Sequence, residues 1–154
     1  MVDTSGAPLR AALQEGVALI KPSLSELQGL TGEALATPAD QLRAAHRLIQ
    51  QGQTEQVALS LGSEGALLVN ADAAWRAAAL PVTVRSTVGA GDSFLAGLLW
   101  GQLEGLSPPE ALACAMAAAT AALLEAGTAL CQPNALARLR PQVRVEAVPL
   151  PAER

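Results

Sequence analysis

The amino-acid sequence predicts an α/β fold, with a largely parallel sheet and helices on both of its faces. Three observations carry this. Short apolar runs such as "VALIKPS" and "VALSLG" alternate with longer amphipathic stretches, the order that strand–helix repeats produce. The amphipathic stretches are punctuated by Ser/Thr caps, by proline at first helical positions and by glycine at their ends. The chain has 154 residues, of which 51% are hydrophobic. That is one domain's worth of chain, able to bury roughly 68–70% of its unfolded surface, and too apolar for disorder.

Taken in order, "MVD" reads as the tail of a strand ended by "TSG". "APLRAALQEG" reads as a helix stopped by Gly16, and "VALIKPS" as a buried strand whose end is marked by Pro22. Ser23 and Glu26 have capping-box spacing, and Gly32 suits a C-cap, so "SLSELQGLTG" is a short helix. Thr37, Pro38 and Gly52 bound the next one. "VALSLG" and "GALLVNA" flank "SEG" as a hairpin, while "AWRAAAL" and "VTVRS" are candidates for further short strands. A helix follows from about Gly91 to Leu103. Ser107 and Glu110 then cap a helix around Pro108 and Pro109 that is expected to run to Gly127, and "VRVEAVPLPAER" offers one edge strand.

Charge and composition narrow the function classes. The formal charge is −4, the arginines are scattered, and Lys21 is the single lysine. No basic stripe with interleaved aromatics points to nucleic acid, and no basic amphipathic segment points to a membrane surface. The amino terminus has no secretory pattern, and the alanine-rich run 111–124 is too short and too weakly apolar to span a bilayer. Cys114 and Cys131 lack CxxC spacing and read as buried free thiols, so a cytoplasmic, reducing setting is expected. The chain opens on what looks like an interior strand with nothing to cover its edge, which suggests part of a longer fold.

The chemistry concentrates in "STVGAGDSFLAGLL", residues 86 to 99. Gly89 and Gly91 permit positive φ and close approach by a ligand, and Ala90 between them adds no bulk. A helix starting here presents N–H groups without internal partners, which is an anion site. Asp92 beside it has two readings. As first-turn electrostatics it needs no ligand. As a general base it takes a proton from an incoming hydroxyl while the amides stabilise a migrating phosphoryl group. The pattern is neither GxGxxG nor a Walker loop.

"STVGAGDSFLAGLL" resembles the second signature, DTxGAGD, of the ribokinase-like (PfkB) carbohydrate kinases. "VDTSG", "LIKPSLSEL", "VALSLGSEGALLV" and "EAGTALC" match the family in the same order, from about residue 2 to residue 131. The likeness is greatest to the carboxyl half of the family's 6-phosphofructokinase members. It implies a ribokinase-like three-layer α/β/α fold, here lacking the amino-terminal part with the sugar site and its lid. It also implies transfer of the phosphoryl group of ATP to a hydroxyl of a phosphorylated sugar, fructose 6-phosphate foremost, by a protein that is a homodimer at full length. In that scheme Asp92 is the catalytic base, and Gly89, Ala90 and Gly91 form the anion hole.

The same resemblance assigns nucleotide contacts to Lys21, Ser23, Thr120 and the turn Ser60, Leu61, Gly62, Ser63, Glu64 and Gly65. Glu26 would arrange water around a nucleotide-bound Mg²⁺. A monovalent cation such as K⁺ would sit on carbonyls of Ser86, Val88, Ala122, Glu125, Gly127 and Ala129. Ser23 departs from the family's asparagine, being shorter and lacking an amide donor. His46 reads as a surface or core-edge residue, Trp75 and Trp100 as packing residues, and Arg76 and Arg85 as solvated strand-face charges. Two functions stand open: a sugar-phosphate kinase, with 1-phosphofructokinase, tagatose-6-phosphate kinase and ribose or nucleoside kinase as variants, or a part that binds nucleotide without turnover.

Overall fold

A computed structural model describes residues 1–126 and 131–151. Along the chain run α1 (Gly6–Glu15), β1 (Val17–Ile20), α2 (Leu24–Thr31), α3 (Pro38–Gln50), β2 (Thr54–Ser60), β3 (Ala66–Val69), β4 (Ala74–Ala77), α4 (Ala90–Leu103), α5 (Pro108–Leu124), α6 (Pro133–Leu139) and β5 (Val145–Val148). The strands make one sheet in chain order, with β5 on an edge as expected of "VRVEAV". The chain divides into two compact units. The first holds residues 1–62, 67–74 and 147 onward; the second holds 63–66 and 75–146.

The first unit is built around the parallel pair β1–β2, in register Val17↔Thr54, Leu19↔Gln56 and Ile20↔Val57. Single parallel bridges extend it, Val2↔Ile20 on one side and Ser23↔Ser60 beyond the strand ends. The "MVD" strand is thus reduced to one bridged residue. Only the second half of β1, Leu19 and Ile20, is buried; Ala18 faces solvent, so the strand is less covered than its apolar run suggests. Between β2 and β3 lie only residues 61–65, too few for a crossover, so the expected hairpin forms and the sheet is mixed. The turn into β4 is made by Asn70, whose Oδ1 accepts from the amides of Asp72 (3.0 Å) and Ala73 (2.8 Å).

Local capping explains where the helices of this unit begin. The Ser23 amide donates to Glu26 Oε2 at 2.7 Å and the Glu26 amide to Ser23 Oγ at 3.3 Å, and α2 ends at Gly32 in the left-handed region. Thr37 and Asp40 make the same reciprocal pair at α3, with Pro38 at its first position. The apolar face of α3 (Leu42, Ala45, Leu48 and Ile49) joins Leu9, Leu13, Ile20, Leu27, Val57 and Leu59 in one core. His46 is buried on α3, so the surface alternative is set aside and the core-edge one stands.

The second unit centres on α4 against α5. Gly97 and Gly101 sit directly on the backbone of Ala111, Cys114 and Ala115, a separation that a side chain would not permit. Ala117 and Ala121 of α5 pack with Leu139 of α6 and with Leu80, Leu136 and Val143. The Ser107 amide donates to Glu110 Oε2 at 2.9 Å, so the predicted box opens α5.

Several expectations are corrected. "VTVRS" is not a strand: the Arg85 amide donates to Leu123 O at 2.8 Å, and Val84 and Arg85 are exposed. Arg85 is therefore a loop residue, while Arg76 on β4 pairs with Glu64 at 3.6 Å. α5 ends at Leu124, where Glu125 turns extended, rather than at Gly127, which lies outside the described residues. α6 was not expected. Trp100 is 45% exposed rather than packed. Cys114 is fully buried but Cys131 only half-buried; both are free, and burial pushes both thiols above their ordinary pKa. No helix among the described residues is long and apolar enough to cross a membrane.

Candidate active site

In the second unit the site begins at the start of α4. Gly89 is its N-cap with φ 77°, a left-handed conformation that disfavours any side chain. Unlike α2, α3 and α5, this helix has no side chain capping its first turn. The first full helical bond is from the Ser93 amide to Gly89 O at 2.8 Å, and the Ala90 amide makes a long bond to Thr87 O at 3.4 Å. Among the described residues the amides of Gly91 and Asp92 have no acceptor within the protein, and both residues are exposed. Two amides and the positive end of a fourteen-residue helix are therefore free to bind an anion. The exposed Asp92 stands in the same first turn, where its carboxylate can take a proton.

The loop before α4 meets the carboxyl end of α5. The Arg85 and Ser86 amides approach Leu123 O at 2.8 and 3.4 Å, and the Val88 amide donates to Ser86 Oγ at 3.2 Å. This brings the backbone of Ser86 close to the last turn of α5, next to Ala122 and Glu125, at the end of a helix that favours cations. The Ala122 carbonyl already accepts the Glu125 amide at 3.2 Å. Gly127 and Ala129, the other residues expected at a cation site, lie outside the described residues. Thr120 is buried, and its hydroxyl donates to Met116 O at 2.7 Å, so its proton is committed to the helix backbone.

In the first unit, Lys21, Ser23 and Ser60 gather at the carboxyl ends of β1 and β2, the sheet edge at which α/β proteins bind ligands. Lys21 is 9% exposed, and its Nζ lies 3.4 Å from Asp3 Oδ1. Asp3 was not singled out in the sequence; its place in "VDTSG" marked the motif but not its partner. The Ser60 amide donates to Pro22 O at 3.0 Å, tying the two strand ends together. Glu26 carries out its capping role, with Oε2 held by the Ser23 amide. Among the described residues no cluster of three or more His, Cys, Asp or Glu side chains is placed to hold a metal ion.

The turn after β2 shows why its small residues are small. Leu61 is buried in the first unit's core, so only its backbone can serve a ligand. Gly62 has φ 58° and open space about it, and a single 3₁₀ turn runs over Gly62, Ser63 and Glu64, all exposed. Gly65 differs: a Cβ there would lie 1.9 Å from Ala77 O, so the protein's own backbone requires this glycine.

The chain is similar to known proteins along most of its length. Residues 1–135 match the pfkB family carbohydrate kinase profile. The ATP-dependent 6-phosphofructokinase isozyme 2 of Mycobacterium tuberculosis (strain CDC 1551 / Oshkosh) is 43% identical over 131 residues, covering 85% of this chain and 38% of the relative. The 1-phosphofructokinase of Escherichia coli (strain K12) is 38% identical over 144 residues, 94% of this chain and 46% of the relative. Two crystal structures of phosphofructokinase-2 from Escherichia coli, one with substrates and products and one with potassium, each superpose with TM-score 0.87 at 36% identity. Each match covers 92% of this chain and 46% of theirs. The chain thus spans less than half the length of these proteins, and its fold is of their ribokinase-like class, a mixed sheet with helices on both sides. It belongs to the pfkB family of carbohydrate kinases.

Proposed function

We propose that these residues are the nucleotide-binding and catalytic part of an ATP- and Mg²⁺-dependent kinase of phosphorylated sugars. Fructose 6-phosphate is the favoured acceptor, and fructose 1,6-bisphosphate, a glycolytic intermediate, the product. The observation that carries the reading is the uncapped start of α4, where the Gly91 and Asp92 amides lack acceptors beside an exposed carboxylate. The amides hold the phosphoryl group in flight, and Gly89 shapes the turn that presents them. Asp92 removes the proton of the acceptor hydroxyl, whose oxygen then bonds to the γ-phosphorus as the bond to the bridging oxygen of ADP breaks.

Lys21 meets nucleotide phosphates as a point charge, with Ser23 and the turn from Ser60 to Gly65 beside the nucleotide. Glu26 orders water about the magnesium through the carboxylate oxygen that the cap leaves free. The carbonyls of the 86–88 loop and of the α5 terminus suit a monovalent cation. A cytoplasmic setting is supported by two free cysteines.

A second reading has its own support: because the chain spans 38–46% of the relatives' length, the acceptor site belongs to sequence outside these residues, and the chain by itself binds nucleotide without turnover. Titrating Mg·ATP into the purified chain and following ADP release with fructose 6-phosphate or fructose 1-phosphate tests both. Saturable ATP binding with little or no turnover is expected. Robust turnover of either sugar phosphate would overturn the claim that the acceptor site lies elsewhere, and absence of ATP binding would overturn the kinase reading.

A further inference from the structure

We propose that Asp3 is a positioning residue that holds the Lys21 ammonium at the mouth of β1 for a nucleotide triphosphate. The inference rests on the reading of Lys21 as a phosphate contact and adds a residue to it. The backbone supplies the geometry. The Val2 amide donates to Leu19 O at 2.8 Å, and Val2 bridges Ile20 in parallel register, which brings Asp3 alongside Lys21.

The side chains then meet, Asp3 Oδ1 to Lys21 Nζ, at 3.4 Å. Lys21 is only 9% exposed and is flanked in sequence by the fully buried Ile20 and Pro22. An ammonium so covered is costly without a compensating charge, and Asp3 provides one. A single carboxylate oxygen at this distance leaves hydrogens on Nζ for a second acceptor. Asp3 itself is one-third exposed and directly follows the bridged Val2, so its backbone is anchored beside Lys21. A long, flexible side chain fixed before the ligand arrives loses less entropy on binding.

The test is calorimetric titration of the whole chain with Mg·ATP and, separately, with adenosine. The proteins are the wild type, Asp3→Asn, Asp3→Glu and Lys21→Ala, each checked for folding by thermal melting. Asp3→Asn is expected to weaken ATP binding about fivefold or more, the worth of one ordered long side chain. Adenosine binding should stay unchanged, and Asp3→Glu should recover most of the ATP affinity. Equal losses for ATP and adenosine would make Asp3 merely structural and overturn the inference. Unchanged or tighter ATP binding by Asp3→Asn, with Lys21→Ala weakened, would overturn it while leaving Lys21 its phosphate role. Unchanged ATP binding by Lys21→Ala would overturn both.

Discussion

Gly97 on α4 lies so close to Cys114 on α5 that a Cβ at position 97 would stand 2.7 Å from the Cys114 carbonyl oxygen, with Ala118 Cβ at 2.9 Å and Ala115 Cα at 3.0 Å. These neighbours are mostly backbone and cannot swing aside. Gly97→Ala would ordinarily gain up to about 1 kcal/mol of helix propensity, but overpacking costs roughly 1–3 kcal/mol. A net destabilisation of about 1–2 kcal/mol is expected. Gly29 on α2 is the control: nothing lies within 4 Å of a Cβ there, and Gly29→Ala should stabilise by ~0.5–1 kcal/mol. Denaturant midpoints of the two variants should move in opposite directions.

Gly65 separates a packing role from a ligand role. Its φ of 104° and the 1.9 Å approach to Ala77 O make any side chain intolerable to the protein itself. Gly65→Ala should cost roughly 3 kcal/mol or more, strain and overpacking together, with or without nucleotide. Gly62, at φ 58° in open space, should cost far less when replaced by Asn, which tolerates this conformation. Thermal melts of Gly65→Ala and Gly62→Asn check both.

Acid should loosen two helix starts. The Thr37 hydroxyl, and after it the Thr37 amide, hold the Asp40 carboxyl below its ordinary range; the Ser107 hydroxyl and amide do the same to Glu110. Groups with depressed folded pKa values contribute stability above their unfolded values, about 4, and lose it as pH falls through the lower folded values. The melting temperature should therefore drop with pH below about 4, and less so in Asp40→Asn and Glu110→Gln. Melting curves recorded between neutral pH and pH 3 test this.

What the sequence made legible was local. The boxes at Ser23–Glu26 and Ser107–Glu110 and the turn at Gly89 depend on residues within one helical turn, so spacing alone reveals them. What escaped depended on distant partners. "VTVRS" has the β-branched alternation of a strand, but the Arg85 amide is taken by Leu123 O at the end of α5. The packing role of Gly65 is invisible in the turn assigned to nucleotide contacts, because nothing local announces the Ala77 carbonyl beside it. The seven-residue α6 is too short for periodicity to announce it, although Pro133 at its first position was a usable signal. For the candidate site, the first turn of α4 was legible and the Asp3–Lys21 pair was not, because the two meet only through the neighbouring Val2–Ile20 bridge, across the intervening helix α1.

The central claim is that the free amides of Gly91 and Asp92 grip a nucleotide phosphate. The most direct measurement is Mg·ATP affinity of Gly91→Val and Asp92→Asn beside the wild type. Residue 91 is exposed and its φ is not positive, so no left-handed strain opposes a valine, whose branched side chain crowds the approach to the amides. Gly91→Val should lose saturable binding while keeping the wild-type melting profile. Asp92→Asn, which removes a carboxylate from beside the phosphate, should bind ATP at least as tightly as the wild type. Wild-type ATP affinity in Gly91→Val would contradict the account.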